Sequence, residues 1–315
     1  MSSWRYSGFG LSIESDFPLL PVRVGAAGAP AAQPICIRRG SLEAVAALLS
    51  TSPEVVWETS FDDLAYRMER GAAGDYRFEW TGRAMFHLTS DARELTCAFR
   101  DRDDQDATRL LLDTVLWSVS LIRGYELLHA SAISHGDESV AFVAGTGGGK
   151  TSLAAELLRR GAELLCDDVL AMSYDDGHVL VHPAPPVMNL PLEQSGADPH
   201  ELGQTLAILG EEAWINVEAV ASSPRRLTAV CVLDRQDSGS PRLRAHPGGV
   251  LALLPHAFGF PGSRTRLGRQ FEILSDLVAD TPVLSLSAAA SCTPAELADL
   301  VERELTASPL IAGRA

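Results

Sequence analysis

The sequence predicts an α/β fold in two parts, a strand-rich α+β domain at residues 1–105 followed by an α/β domain at residues 106–315. Apolar and polar residues alternate between residues 75 and 100, which is typical of antiparallel strands with one buried face. The run SVAFVA (139–144) is almost entirely apolar, as expected for a strand buried on both faces. The amphipathic segment TSLAAELLRRG (151–161) then predicts a helix, and this change of pattern indicates the second domain.

In the N-terminal domain, the segment SLEAVAALL (41–49) predicts a short helix. A three-stranded antiparallel meander is predicted after it, because large apolar residues recur at every second position. These residues are Tyr76, Phe78 and Trp80, then Phe86 and Leu88, then Leu95, Cys97 and Phe99. Asp62 and Asp63 are interpreted as an exposed acidic turn rather than as a ligand pair.

The second domain is predicted to begin with an apolar helix at 106–124. The strand at 139–144, its following helix and the strand ELLCDD (163–168) form a β-loop-α-β unit, which predicts a parallel pair of strands. A further strand is predicted at 227–235, and a capping box at Thr293, Pro294 and Glu296 begins the last helix. The stretch 182–203 is loop-rich and is a candidate flap.

Composition excludes several classes of protein. The chain has 315 residues and a formal net charge of -15, which disfavours a nucleic-acid or anionic-membrane partner. Its five cysteines are scattered without a CxxC pair, so neither a zinc ribbon nor a disulfide framework is expected. No signal-peptide pattern is visible, and the longest apolar stretch (110–122) is too short to span a bilayer. These features predict a cytoplasmic protein with no membrane partner.

The stretch AGTGGGKTS contains the only lysine of a chain with 26 basic residues. It fits the phosphate-loop pattern, small-x-x-x-x-G-K-[ST], between a strand and a helix. Glycines let several backbone N–H groups point into one concavity, and a lysine ammonium reaches phosphates where an arginine fork is too large. The threonine hydroxyl is a candidate Mg²⁺ ligand. The predicted nucleotide-binding residues are Ala144, Gly145, Thr146, Gly147, Gly148, Gly149, Lys150, Thr151 and Ser152.

Two aspartates, Asp167 and Asp168, end the strand that follows the predicted helix. Parallel strands place their carboxyl ends at one edge of a sheet, so both aspartates are expected beside the phosphate loop. One of them can bind Mg²⁺ and the other can accept a proton from an attacking hydroxyl. Arg266 and Arg269 belong to a basic cluster with three open roles: stabilising a transferring phosphate, holding an acidic substrate or forming a solvated surface.

These residues together resemble the HPr kinase/phosphorylase superfamily over residues 125 to 275. In that family a histidine lies upstream of the phosphate loop, which matches His129, and an Asp-Asp pair closes the next strand. The resemblance implies that Asp168 is the proton acceptor and leaves Asp167 as the metal ligand. The family's R-P-G-R-N segment is similar to RLGRQ (266–270), which implies catalytic roles for Arg266 and Arg269 beside those of His129 and Lys150.

The chain also departs from this family. The L-E-I-R-G motif, linked to a magnesium glutamate and to the reverse, dephosphorylating reaction, has no clear counterpart, although Glu193 lies at about the corresponding place. The first 105 residues look like the front half of divergent HPr-kinase-like proteins, some of which phosphorylate serine in ribosomally made precursor peptides, including lasso peptides. The resemblance therefore implies a kinase of this divergent type with a phosphate-loop C-terminal domain.

The function expected from the sequence is ATP- and Mg²⁺-dependent transfer of a phosphate to a Ser or Thr hydroxyl of a peptide or protein. Two alternatives stay open, a kinase for a small molecule such as free serine and a nucleotide-regulated binding protein without an acceptor. A GTPase is disfavoured because a chain with a single lysine at 150 cannot contain an N-K-x-D motif. The family's hexamers make a homo-oligomer plausible.

Overall fold

The computed structural model describes residues 4–19, 33–61, 64–101, 105–136, 138–192, 198–259 and 264–307. It divides into two compact units, Met1–Tyr125 with Gly259–Arg264 and Glu126–Phe258 with Thr265–Ala315. The division falls after residue 125 and not at the predicted boundary of 105/106.

The displaced boundary has a physical cause in the first unit. The helical stretch that was predicted to open the second domain is tied to the first unit by hydrogen bonds. Ser120 donates to the carbonyl of Phe9 at 2.7 Å, and the Tyr125 hydroxyl donates to the carbonyl of Gly10 at 2.8 Å. An apolar helix pattern reveals that a face is buried, but it does not reveal which domain covers that face.

The first unit contains an eight-stranded sheet in the order β1-β2-β3-β8-β7-β6-β5-β4. Its strands are β1 (Trp4–Gly8), β2 (Leu11–Ser15), β3 (Ile35–Arg39), β4 (Glu54–Phe61), β5 (Leu64–Arg70), β6 (Tyr76–Trp80), β7 (Ala84–Leu88) and β8 (Glu94–Phe99). The predicted meander is confirmed, because β6, β7 and β8 pair antiparallel in succession. Phe78, Phe86 and Leu95 from its inner face are fully buried.

The helices of the first unit are α1 (Leu42–Ala46), α2 (Gln105–Leu110) and α3 (Leu116–Ile122), with a π-helical turn at Leu111–Val115 between the last two. Ser41 caps α1 by accepting the Ala44 N–H. The predicted acidic turn at Asp62 and Asp63 lies outside the described residues.

The second unit has a mixed sheet and a separate three-stranded sheet. Its strands are β9 (Glu126–His135), β10 (Glu138–Val143), β11 (Glu163–Cys166), β12 (Val169–Asp175), β13 (His178–His182), β14 (Val187–Pro191), β15 (Gly203–Leu209), β16 (Glu212–Val217), β17 (Ala229–Gln236), β18 (Arg242–Ala245), β19 (Ala257–Phe258) and β20 (Val283–Ala289). Its helices are α4 (Lys150–Arg159), α5 (Pro199–Leu202), α6 (Val250–Leu253), α7 (Arg264–Asp280) and α8 (Pro294–Ala307), with a 3-10 turn at Leu254–His256.

The mixed sheet has the order β13-β12-β9-β10-β17-β20-β18, and β11 and β19 also pair with β9. The prediction that the strands before and after α4 form an adjacent parallel pair was wrong, because β9 lies between β10 and β11 and is antiparallel to both. Two strands that are both antiparallel to a third run in the same direction. The carboxyl ends of β10 and β11 therefore still lie at the same edge of the sheet, as the functional prediction required.

The core of the second unit lies on both faces of this sheet. Leu153 and Leu157 of α4 pack in one cluster with Leu297 and Val301 of α8. Leu277 of α7 packs in a second cluster with buried residues of β9, β10 and β12. Within the described ranges, no helix is both long enough and apolar enough to cross a membrane.

The loop-rich segment 182–203, the candidate flap, is partly regular. It contains β14 and α5, and β14 pairs antiparallel with β16 in the sheet β14-β16-β15. The three prolines at 183, 185 and 186 precede β14 and do not interrupt it. Residues 193–197, which include Glu193, lie outside the described residues.

Candidate functional site

The glycine-rich loop lies between the end of β10 and the first residue of α4. Gly147 and Gly149 have φ angles of 74° and 91°, in the left-handed region that favours glycine. A side chain at Gly148 would bring its Cβ to 2.5 Å from that of Ala144. The loop backbone therefore depends on at least three of its glycines, and it leads directly into the positive end of a ten-residue helix that begins at Lys150.

Lys150 is buried although it is the first residue of α4. Its Nζ lies 2.8 Å from Nε2 of His129 and donates to the carbonyl of Ala144 at 3.2 Å. Burial lowers the pKa of Lys150, and the charges of Asp168 and Asp167 oppose this shift. Burial and then the Lys150 charge lower the pKa of His129 below its ordinary value of 6.5. The imidazole is therefore neutral at pH 7, with Nε2 as the acceptor for the ammonium.

Asp167 is the most completely bonded carboxylate of the site. Its Oδ1 accepts from the hydroxyls of Thr151 (2.9 Å) and Ser131 (2.7 Å), and its Oδ2 accepts the backbone N–H of Asn189 at 3.1 Å. Burial, and then the neighbouring charge of Asp168, raise the pKa of Asp167 to about 7, while these three donors act in the opposite direction. The aspartate after β11 and the threonine after the loop are thus in direct contact, as the edge argument predicted.

Asp168 follows immediately in a tight turn with a φ of 64°, which is unusual for a residue other than glycine. The turn is closed by the Val169 N–H, which donates to the carbonyl of Asp167 at 2.8 Å, and the Ala130 N–H donates to the carbonyl of Asp168 at 3.2 Å. The side chain of Asn189 donates to Oδ2 of Asp168 at 3.3 Å. Such a conformation costs about 1–3 kcal/mol, and it is typical of sites where a side chain must have a defined direction.

The remaining loop residues have different environments. Gly145, Thr146 and Gly147 are exposed, whereas Ser152 is buried in the first turn of α4. The exposed part of the loop is thus accessible to a ligand, and the part that enters the helix belongs to the core.

Arg266 and Arg269, predicted to act on a phosphate, lie in the first turns of α7 and face Glu126. Arg266 Nη2 is 3.2 Å from Glu126 Oε2, and Arg269 Nε is 3.8 Å from Glu126 Oε1. Burial raises the pKa of Glu126, and the charges of the two arginines oppose that rise. These contacts join the two arginines to Glu126, whereas Lys150 is hydrogen-bonded to His129 and interacts electrostatically with Asp168.

Four residues near the site were missed by sequence reasoning: Ser131, Asn189, Arg235 and His256. Ser131 lies two positions after His129 on β9, so recognition of that strand would have placed both side chains on one face. The pKa of His256 is lowered by burial and then by the charge of Lys150. Nothing in the local sequence around Asn189, Arg235 or His256 indicates a site, because each is brought there by packing between distant segments.

A divalent cation could be held by the pair Thr151 and Asp167. Among the described residues, no cluster of three or more His, Cys, Asp or Glu side chains could hold a metal ion. Mg²⁺, however, is commonly bound by one or two protein oxygens together with substrate phosphates and water. The hydroxyl and the carboxylate, 2.9 Å apart at the start of α4, are oxygen donors of the kind that this ion prefers.

No protein-family model matches the sequence, and no curated protein matches it. Among solved structures, the chain is similar to the HPr(Ser) kinase/phosphatase from Coxiella burnetii, at 15% sequence identity and a TM-score of 0.35. That alignment covers 57% of this chain and 96% of the other.

Proposed function

We propose that this protein is an ATP- and Mg²⁺-dependent kinase that transfers the γ-phosphate to a Ser or Thr hydroxyl of a peptide or protein. The observation that carries the proposal is the hydrogen-bonded group at the start of α4. Thr151 donates to Asp167, Asn189 donates to both Asp167 and Asp168, and Lys150 interacts electrostatically with the two carboxylates at the carboxyl edge of the sheet. A loop with a helix N-terminus, a buried lysine and two carboxylates is the set of groups that phosphoryl transfer requires.

In this proposal the loop from Ala144 to Ser152 binds the phosphates. Backbone N–H groups and the positive end of α4 receive the anionic oxygens, and Lys150 adds a point charge. The neutral His129 holds the ammonium in place through Nε2 until a phosphate oxygen takes over that hydrogen bond. Because burial lowers the pKa of Lys150, its ammonium gains from any additional negative charge, which favours the bound nucleotide.

Thr151 and Asp167 would hold Mg²⁺, which when bound neutralises charge on the phosphates. Their mutual hydrogen bond shows that both oxygens reach one position at the start of α4. Ser131 and the Asn189 backbone N–H also donate to Asp167 and orient its carboxylate. A carboxylate held by three donors keeps a fixed direction, which a Mg²⁺ ion with strict octahedral geometry needs.

Asp168 is assigned as the general base. A serine hydroxyl is a poor nucleophile at neutral pH, so a carboxylate that receives its proton assists the attack. Asp168 is more exposed than Asp167, and among the described residues it accepts one side-chain hydrogen bond, from Asn189. The two aspartates therefore differ in environment: Asp167 is buried among donors, and Asp168 is accessible to an incoming hydroxyl.

The decisive experiment is phosphate transfer measured by mass spectrometry. The full-length protein is incubated with Mg-ATP and with Ser- or Thr-containing peptides encoded beside its gene, and a mass increase of one phosphate on the peptide supports the proposal. Asp168→Asn should bind ATP as the wild type does but lower turnover by roughly a hundred to ten thousand fold. Transfer at the wild-type rate by this variant would refute the base assignment.

The two alternative functions predict other outcomes of the same experiment. Phosphorylation of free serine without phosphorylation of any peptide would identify a small-molecule kinase. Nucleotide binding without phosphate transfer to either acceptor would identify a nucleotide-regulated binding protein. Binding itself is read from thermal stability, since about 2.7 kcal/mol of stabilisation is expected at 100 times the Kd of Mg-ATP.

A further inference from the structure

Arg235 lies beside the glycine-rich loop on the side opposite to the aspartates. It is near the carboxyl end of β17, which pairs parallel with β10 through Ala229–Val232 and Val140–Val143. The two strands therefore end at the same edge of the sheet. A Cβ built on Gly149 would lie 2.9 Å from Nη2 of Arg235, so the guanidinium is in contact with the loop immediately before α4.

The hydrogen bonds of Arg235 leave its charge without a carboxylate partner. Its Nη1 donates to the backbone carbonyls of Ala289 (3.3 Å) and Cys292 (3.2 Å), which lie at the end of β20 and before α8. Within the described part of the chain, no Asp or Glu forms an ion pair with it. Arg266 and Arg269, by contrast, both face Glu126. Arg235 is thus held in place by neutral acceptors while it keeps a positive charge directed at the loop.

The charges around the loop favour a further cation at this position. Beside the loop, the single ammonium of Lys150 is opposed by the carboxylates of Asp167 and Asp168, which both interact with it electrostatically. A triphosphate is strongly anionic, and its binding is favoured by cations on more than one side. Lys150 reaches toward His129 on β9, and β9 and β17 pair with opposite sides of β10. Arg235 would therefore approach the phosphate chain from the side that Lys150 does not occupy.

We propose that Arg235 is a phosphate-binding residue that contacts the polyphosphate chain held by the loop, in the role that the sequence suggested for Arg266 and Arg269. This inference rests on the proposed nucleotide site but not on the identity of the acceptor. Arginine suits this position because its fork donates to two carbonyls through one nitrogen and still presents other N–H groups to an anion.

The test compares Mg-ATP with Mg-tripolyphosphate, which has the phosphate chain but no nucleoside. Kd values for both are measured by calorimetry for the wild type, Arg235→Gln and the control Arg244→Gln, which removes an exposed arginine from the edge strand β18. Arg235→Gln keeps an amide donor for the carbonyls but loses the charge. It is expected to weaken both ligands by on the order of tenfold to a hundredfold, and the control is expected to bind both as the wild type does.

Two outcomes overturn the proposal. Unchanged affinity for both ligands in Arg235→Gln would show that the arginine only braces the carbonyls of Ala289 and Cys292. Weaker binding of ATP with normal binding of tripolyphosphate would show that Arg235 contacts the nucleoside. Failure of phosphate transfer with retained tripolyphosphate binding would reject the kinase function and leave this inference intact.

A second measurement needs no variant and covers the case in which Arg235→Gln fails to fold. The wild-type protein is treated with phenylglyoxal, which modifies arginine guanidinium groups, and the modified peptides are quantified by mass spectrometry. Mg-tripolyphosphate is expected to lower the modification of Arg235 and to leave that of Arg244 unchanged. Equal modification of Arg235 with and without the ligand contradicts the contact.

Discussion

Replacing Asp167 by asparagine is expected to change the stability of the ligand-free protein in opposite directions at acid and alkaline pH. Burial and the charge of Asp168 raise the pKa of Asp167 from 3.8 to about 7. Between about pH 4 and pH 7 the folded carboxyl therefore holds a proton that the unfolded chain has released. Because the folded state binds more protons in this window, wild-type stability falls as pH rises through it.

The size of the effect follows from the same shift and from the contacts of the side chain. A rise from 3.8 to about 7 corresponds to about 4 kcal/mol of lost stability at pH 8, at about 1.4 kcal/mol for each pKa unit. Asparagine has no such loss, but its Nδ2 would replace Oδ2 opposite the backbone N–H of Asn189, which costs about 1–3 kcal/mol. Asp167→Asn should therefore be less stable than the wild type by about 1–3 kcal/mol at pH 4 and more stable by about 1–3 kcal/mol at pH 8.

Urea unfolding in EDTA at several pH values between 4 and 8 measures this difference. Titrating groups far from Asp167 are common to both proteins and cancel in the comparison. Asp237→Asn, at an exposed position, serves as the control and should follow the wild type throughout. A stability difference between Asp167→Asn and the wild type that stays constant from pH 4 to pH 8 would refute the assigned burial of the charge.

Three further predictions concern separate parts of the second unit. Lys150→Arg should lower phosphate transfer by on the order of a hundredfold or more, because the larger guanidinium does not fit the buried position of the lysine. The circular dichroism spectrum should be unchanged. Near-normal transfer would contradict the assignment of the glycine-rich loop as the phosphate-binding loop. Asn189→Ala should lower kcat in a transfer assay and leave the Kd of ATP unchanged, because the substitution removes the side-chain donor to Asp168. A change in the Kd of ATP without a change in kcat would assign Asn189 to nucleotide binding. Burial lowers the pKa of His182 to about 4, so the free energy of unfolding of the wild type should fall by about 3 kcal/mol as pH decreases from 6.5 to 4. In calorimetric melting, His182→Gln should lack the part of the pH-dependent decrease that comes from this histidine.

The glycine-rich loop and its helix could be predicted from sequence because their signals are local. Gly147, Gly149 and Lys150 are adjacent in the chain, and the backbone angles of the glycines follow from the absence of a side chain. The position of Asp167 beside Thr151 was also predicted, although the sheet that brings them together has another strand order. The edge at which a strand ends depends only on its direction, and β10 and β11 run in the same direction although β9 lies between them.

The rest of the site depends on contacts between distant segments, which a motif does not encode. Asn189 reaches both aspartates from a separate three-stranded sheet, and its segment was the candidate flap. Arg266 and Arg269 match a motif by spacing, but the carboxylate that pairs with them, Glu126, is about 140 residues earlier in the chain. Local spacing can therefore suggest a role for a charged residue, but only the fold identifies the charge that faces it.

The central position of β9 has a consequence for how the second unit could be shortened. This one strand pairs with β10, β11, β12 and β19, and it also carries His129 and Ser131. A fragment that begins at Glu138 would keep every residue of the phosphate-loop motif, yet it would lose the strand to which four others are hydrogen-bonded. Such a truncation would leave unpaired backbone edges inside the sheet and remove two side chains that hold Lys150 and Asp167. A fragment that retains this site must therefore begin at or before Glu126, upstream of the phosphate-loop motif.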